Sequence, residues 1–240
     1  AIKFSKTVKS LVIATTDKVY LNLEEKKPFN ENDKLGGHDL YSGSKAAAEI
    51  ITQSFTKSFF SKKNCNIATV RSGNCIGGGD WTKDRIVKDC AESFLKNKRL
   101  IIRSPNATRP WQHVIEPLFG YLNLSKKLYF SKKFRGAWNF GPKMKNSLKV
   151  KEVAFFGKKI LNSKSKILVK KNKYYESTNL SLNSSKSRRL LKWKTFLTAK
   201  ESLRLSFDWY KFYHESRSKS QVINYTLKQI KTYKKKLKHL

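Results

Sequence analysis

Residues 10–20 read SLVIATTDKVY, residues 41–63 read YSGSKAAAEIITQSFTKSFFSKK, and residues 64–80 read NCNIATVRSGNCIGGGD. The first is a short continuous apolar run closing on Thr-Asp-Lys, the pattern of a strand buried on both faces. In the second, Ala47, Ile50, Ile51, Phe55 and Phe59 fall on one stripe at helical spacing, which predicts an amphipathic helix. The third is a second buried strand running into a glycine-rich loop. Strand, helix and strand in this order make a right-handed βαβ unit in a parallel sheet, so the fold class is α/β. Between the first strand and the helix, EEKKPFNENDKLGGHDL (24–40) reads as a polar loop punctuated by Pro and Gly.

Working outward, DRIVKDCAESFLKN (84–97) predicts a helix, LIIR (100–103) a strand and SPNATRPWQHV (104–114) a loop. GAWNFGP (136–142) and SKILVKK (165–171) are strand candidates, with a helix at VKEVAFFGKKIL (150–161) between them. Residues 184–214 read as helix, turn, helix. In the last stretch, Ile223, Leu227, Ile230, Tyr233 and Leu237 stand near helical spacing among lysines, as in a basic tail or a loosely packed terminal helix. The expected organisation is a catalytic domain over residues 1–80, a substrate-binding lobe with returning sheet elements over 81–212, and the basic tail or helix over 213–240.

A hydrophobic content of 39% over 240 residues is enough for a folded core and excludes a disordered chain. The net charge of +35 points to an anionic partner, yet the basic residues are spread along the chain without interleaved aromatics, and Lys greatly outnumbers Arg as in AT-rich coding. Nucleic acid is therefore not the expected partner. No apolar run has the length of a membrane span and no signal-peptide pattern is present, so no membrane partner is expected. Cys65, Cys75 and Cys90 form no CxxC pair and no ligand spacing with His, which suggests reduced thiols in a cytoplasm and no metal site.

In open α/β sheets, ligands bind beyond the carboxyl ends of the strands, here TTDK and RSGN. Tyr41 and Lys45 stand at i and i+4 at the start of the helix between them and share a face. A Lys one turn from a Tyr can lower the phenol pKa from about 10 towards neutrality, which suits a Tyr that accepts an alcohol proton while hydride leaves the same carbon. Taken alone, Tyr-x-x-x-Lys also occurs as an ordinary surface pair.

Combined with TTDKVY, LGGHDLYSGSKAAAE, VRSGNCIGGGDW, PNATRPWQHVIEPL, GAWNFGP and SKSRRLLKW, the sequence resembles the sugar-nucleotide dehydratases of the extended short-chain dehydrogenase/reductase family, and among them the CDP-glucose 4,6-dehydratase type. The resemblance runs from about residue 11 to 212. It implies a Rossmann-like parallel sheet with a smaller C-terminal substrate-binding lobe, NAD as a recycled hydride carrier, and a CDP-hexose substrate. Tyr41 is then the base for the C4 hydroxyl, with Lys45 holding it and the nicotinamide ribose. Thr16 hydrogen-bonds the C4 oxygen, and Asp17 is the general acid for the leaving C6 hydroxyl. Lys18 stands where the dTDP-glucose type carries Glu; it is either the C5 base or an electrostatic stabiliser. Asn74, Arg109, Trp111 and His113 are the substrate-side candidates, Arg109 as a bidentate diphosphate clamp. Arg188 and Arg189 are expected to be structural. Other sugar-nucleotide dehydratases or epimerases, or a non-catalytic basic binding fragment, are the competing readings.

The sequence departs from that family in one respect. It contains no G-x-G-x-x-G turn, and CIGGGDW does not supply one. The expectation is an N-terminally truncated chain with a partial sheet, the first βαβ units missing, that alone binds NAD poorly and turns over little. A full-length protein of this kind is expected to be a homodimer through the helix carrying Tyr41.

Overall fold

Asp39 starts the helix that follows the first strand. Its carboxylate accepts the Ser42 N–H at 3.0 Å and the Ser42 hydroxyl at 2.6 Å, satisfying a donor that the helix itself cannot pair. These two hydrogen bonds, with the nearby Lys18 charge, hold the Asp39 carboxyl below its ordinary range. The computed structural model describes residues 2–24, 27–61, 65–143, 147–170 and 180–237.

The chain forms two compact units, each built from three separate segments. The first comprises Ala1–Gly73, Pro117–Pro142 and Asn179–Lys194. Its elements are β1 (Ser10–Ala14), α1 (Leu40–Phe55, continued by a π turn over Thr56–Phe60), β2 (Asn66–Arg71), most of α3 (Ile115–Phe130), β7 (Gly136–Asn139) and α5 (Ser185–Leu191). The strands make a parallel sheet in the order β1-β2-β7, with Leu11 opposite Ile67 and Val70 opposite Trp138. This is the predicted βαβ unit, extended by a third strand. Every residue of β2 is buried, including the polar Asn66, Thr69 and Arg71. β1 is only half-buried, contrary to the expectation of burial on both faces, because among the described residues it pairs on one side only. Ala68, Val70, Leu124, Leu128, Trp138, Phe140, Leu191 and Trp193 form the main core of this unit.

The apolar stripe on α1 does not face the core of its unit. Ile50 is 52% and Ile51 61% exposed, and Ala47, Phe55 and Phe59 are exposed as well. The buried face carries Ser42, Ala46 and Glu49 instead. Small and polar groups sit here because the helix packs against strand-end hydroxyls and an arginine.

The second unit comprises Asn74–Glu116, Lys143–Thr178 and Thr195–Leu240. It holds β3 (Cys75–Ile76) paired with β6 (Gln112–His113), β4 (Leu100–Ile102) with β9 (Ile167–Val169), and β5 (Thr108–Pro110) antiparallel to β8 (Ser147–Lys149). α2 (Ile86–Leu95), α4 (Val150–Ile160) and α6 (Ala199–Glu215) pack around Val87, Phe94, Leu100, Trp111, Val153, Leu203 and Phe207. The segment 104–114, expected to be a loop, contributes two short strands. A Thr198–Glu201 capping box opens α6. The last stretch is helical as α7 (Lys219–Leu237). No helix among the described residues is long and apolar enough to cross a membrane.

Polar contacts hold α7 to its unit, among them a Lys236–Glu201 ion pair at 3.5 Å. Trp209 Nε1 donates to Thr226 Oγ1 at 2.8 Å, Gln229 Nε2 to the Leu205 carbonyl at 3.0 Å, and Tyr233 Oη to Glu116 Oε1 at 3.3 Å. Burial pushes the Glu116 carboxyl up to about 7 despite backbone N–H donors from Leu197 and Phe196. A carboxyl raised in the folded state binds its proton more tightly there than in the unfolded chain, where the ordinary value of 4.5 applies. Its stabilising contribution is therefore fullest in acid and falls as pH rises from the unfolded to the folded value. Glu116→Gln should gain about 3 kcal/mol relative to the native protein between roughly pH 4 and pH 8. Paired urea unfolding curves across that range check this.

Candidate active site

The end of β1 and the start of α1 build the first half of the site. Thr16 is extended and caps a single turn over Asp17–Val19: its Oγ1 accepts the Lys18 N–H at 3.3 Å and donates to Asp17 Oδ1 at 3.1 Å. The Asp17 N–H reaches the Ser72 carbonyl at 3.2 Å, tying the turn to the end of β2. Asp17 itself is buried, and its carboxylate occupies the space where any side chain at position 73 would stand: a Cβ on Gly73 would lie 1.6 Å from Asp17 Oδ2.

Tyr41 lies in the first turn of α1, 50% exposed, with its ring open to a ligand. Lys45 follows one turn later and is half-buried. The Lys18 amine is 6.0 Å from the centroid of the Tyr41 ring, so the strand-end turn and the helix start meet at these two residues. Thr16, Asp17, Lys18, Tyr41 and Lys45 thus gather in one unit. Lys18 is exposed.

Beneath them lies a network that the sequence did not signal. Glu49 and Arg71 are both fully buried. Glu49 Oε1 accepts from Thr15 Oγ1 at 2.6 Å and Arg71 Nε at 2.9 Å; Oε2 accepts from Thr69 Oγ1 at 2.7 Å and Arg71 Nη2 at 2.9 Å. Arg71 Nη1 donates to Tyr20 Oη at 2.8 Å and to the Glu31 carbonyl at 3.1 Å, and Tyr20 Oη donates to Asn139 Oδ1 at 2.8 Å. Burial alone would raise the Glu49 carboxyl, but the bidentate Arg71, with Thr15 and Thr69, outweighs it and holds the carboxyl below its ordinary range. The only hint in the sequence was the i, i+4, i+7 spacing of Ser42, Ala46 and Glu49.

The substrate-side candidates belong to the second unit. Asn74 adopts a left-handed backbone (φ 47°), a conformation that Asn tolerates, and its carbonyl accepts the Gln112 N–H at 3.4 Å. Arg109 is nearly buried in β5, with Nη1 donating to the Thr108 carbonyl at 3.0 Å. Trp111 is a core residue whose Nε1 donates to the Leu148 carbonyl at 3.0 Å. His113 is buried; its Nδ1 accepts the Ile115 N–H at 3.3 Å, which puts the proton on Nε2, and that nitrogen meets no hydrogen-bonding group among the described residues. Burial pushes the His113 imidazole down to about 4, so it is neutral near pH 7. Among the described residues, no three His, Cys, Asp or Glu side chains gather as a metal site.

Known proteins share the sequence and fold of this chain. Residues 2–126 match the model of the NAD dependent epimerase/dehydratase family. The chain is 39% identical over 214 residues to a CDP-glucose 4,6-dehydratase from Salmonella typhimurium, covering 85% of this chain and 59% of that protein. The chain therefore spans well under two thirds of the curated relative it matches. The dTDP-glucose 4,6-dehydratase structure from Bacillus anthracis, in complex with NAD, shares the fold at a TM-score of 0.71 and 22% identity, over 86% of this chain and 63% of that one. An epimerase from Methanothermobacter thermautotrophicus does so at 0.76 and 20% identity, over 87% and 61%. With residues 2–126 inside the family model and a Rossmann-like α/β fold around the Thr16–Asp17 turn and Tyr41, the chain belongs to the NAD dependent epimerase/dehydratase family.

Proposed function

We propose that the protein to which this chain belongs is a 4,6-dehydratase converting CDP-glucose to CDP-4-keto-6-deoxyglucose. The observation that carries this reading is the Thr16-Asp17-Lys18 turn set against Tyr41, with the Lys18 amine 6.0 Å from the Tyr41 ring. The 39% identity to a CDP-glucose 4,6-dehydratase supports the substrate class.

The residues present fit the nicotinamide-ribose end of NAD: a half-exposed phenol and a lysine one turn later on the same helix face. When bound, NAD supplies a reversible hydride acceptor. In this reading Tyr41 accepts the proton of the C4 hydroxyl, and Lys45 orients Tyr41 and contacts the nicotinamide ribose. The Thr16 hydroxyl, which gives its proton to Asp17 Oδ1 in the structure, turns to donate to the C4 oxygen when the sugar is bound. A ketone at C4 acidifies the C5 proton, and Asp17 protonates the C6 hydroxyl as it leaves. Lys18, beside the phenol, takes the C5 proton, and the ammonium so formed stabilises the enolate oxygen. Arg109 is the diphosphate ligand and Asn74 the residue near sugar and diphosphate. Trp111 packs, and a neutral His113 contributes shape and at most a hydrogen bond.

Gly73→Ala tests the placement of Asp17. A methyl 1.6 Å from its Oδ2 must displace the carboxylate, and misplacement of a reacting group by about 1 Å lowers kcat about 10²-fold. Steady-state kinetics beside a thermal melt check this, with KM for the sugar nucleotide expected to change far less. The exposed stripe of Ile50, Ile51, Phe55 and Phe59 suits a homodimer interface. Ile51→Glu should then yield a monomer in sedimentation velocity.

The assay that tests the function offers the natural gene product CDP-glucose and dTDP-glucose separately, with NAD. Turnover of CDP-glucose in clear preference to dTDP-glucose is expected; equal turnover of both would sink the cytidine assignment.

A further inference from the structure

We propose that Glu49 is a positioning residue: its carboxylate fixes α1, and with it Tyr41 and Lys45, against the strand end that carries Thr16 and Asp17. This rests on the reading of those residues as the reacting groups. Three parts of the fold, α1, β2 and the segment that follows β1, meet at this side chain. Glu49 stands on α1, one turn beyond Lys45 and about 12 Å along the axis from Tyr41 at 1.5 Å per residue. Its Oε1 takes the hydroxyl of Thr15, the residue immediately before Thr16, and Thr15 is itself bound to β2 through its N–H on the Val70 carbonyl at 2.9 Å. Its Oε2 takes the hydroxyl of Thr69 on β2, and Arg71 bridges both oxygens.

All four acceptor directions of the carboxylate are thus used, two by the strand hydroxyls and two by one planar guanidinium. A carboxylate satisfied in this way has one rotamer and one depth, so the helix cannot slide or rotate over the sheet without breaking several hydrogen bonds. Of the neighbouring buried positions, Ser42 is small, and Ala46 packs with Val19 and Tyr20 through a single methyl that makes no directional bond. Large apolar residues on the other face of α1 are exposed and do not bear on the sheet. Positioning of Tyr41 against Thr16 and Asp17 therefore falls to Glu49. Arg71 is in turn held by Tyr20 and the Glu31 carbonyl, and Tyr20 by Asn139 on β7, so the anchor extends across the sheet.

The test uses the natural gene product with Glu49→Asp, Glu49→Gln and Thr69→Val. Aspartate keeps the charge but shortens the reach by one methylene. Glutamine keeps the reach and loses the charge. If Glu49 positions α1, Glu49→Asp lowers kcat about 10²-fold with KM for the sugar nucleotide held within about threefold. Glu49→Gln is then the more active of the two although it loses the ion pair. A role confined to stability predicts the reverse order, with activity following the melting temperature, and that result would overturn the proposal. Thr69→Val removes one hydrogen bond isosterically and covers the case in which Glu49→Asp does not fold. It should lower kcat about tenfold and shift the ¹³Cζ resonance of Tyr41, assigned with Tyr41→Phe. An unshifted Tyr41 resonance with unchanged kcat contradicts the proposal. If the native protein turns over neither sugar nucleotide, the functional reading fails, and the Tyr41 resonance in Thr69→Val alone decides whether Glu49 positions the helix.

Discussion

Arg71→Met is expected to lose about 3–5 kcal/mol of folding stability, because it leaves the fully buried Glu49 carboxylate without its ionic partner. Glu49 would keep only the hydroxyls of Thr15 and Thr69, and Tyr20 would lose the donor at its phenol oxygen. Removing both charges together is a different matter, since a buried pair replaced by apolar groups of similar volume is often close to neutral. Glu49→Leu combined with Arg71→Met should therefore recover most of the loss, and urea unfolding of the single and double variants measures it. Acid gives an independent check. Glu49 is held below its ordinary value in the folded state, so its contribution is complete above the unfolded carboxylate value and is lost as pH falls through the folded one. Arg71→Met should lack that part of the acid dependence.

The second large effect concerns the chemistry. Tyr41→Phe removes the phenol oxygen and leaves α1, capped by Asp39 and anchored by Glu49, intact. Loss of a positioned base typically lowers the rate about 10²–10⁴-fold, and kcat is expected to fall in that range while the melting temperature stays put. Tyr41 is half-exposed, and no hydrogen bond of the fold depends on its hydroxyl among those seen in the structure. Asp17→Asn should lower kcat comparably, since the amide cannot supply the proton for the leaving hydroxyl.

The chain order of strand, helix and strand was legible because periodicity and run length report local geometry directly. β1, α1 and β2 lie where SLVIATT, the Tyr41 helix and NIATVR place them. Amphipathicity has a specific limit on α1. It shows that one face is apolar, not which neighbour that face meets, and here the apolar face is outside while Ser42, Ala46 and Glu49 are inside. The same limit hid Glu49 and Arg71, since a charged residue is normally counted as surface until its partner is known. Trp111 and His113 sit in a loop-like stretch whose short strands depend on pairing with β3 and β8 far along the chain. Local sequence cannot supply such partners. The interleaving of the two units, with the chain returning at Pro117 and again at Asn179, is likewise a long-range property. The candidate site was more legible than its support, because Thr16, Asp17, Lys18, Tyr41 and Lys45 lie at element ends that the pattern marks.

The most direct test of the account is the product formed from CDP-glucose by the natural gene product with NAD, followed by proton NMR. A new C6 methyl doublet, loss of the C6 hydroxymethyl signals and a keto-sugar at C4 are expected, with the methyl doublet growing about 10²–10⁴-fold more slowly in Asp17→Asn. A C4 epimer that keeps its hydroxymethyl group, or unchanged substrate, would contradict it.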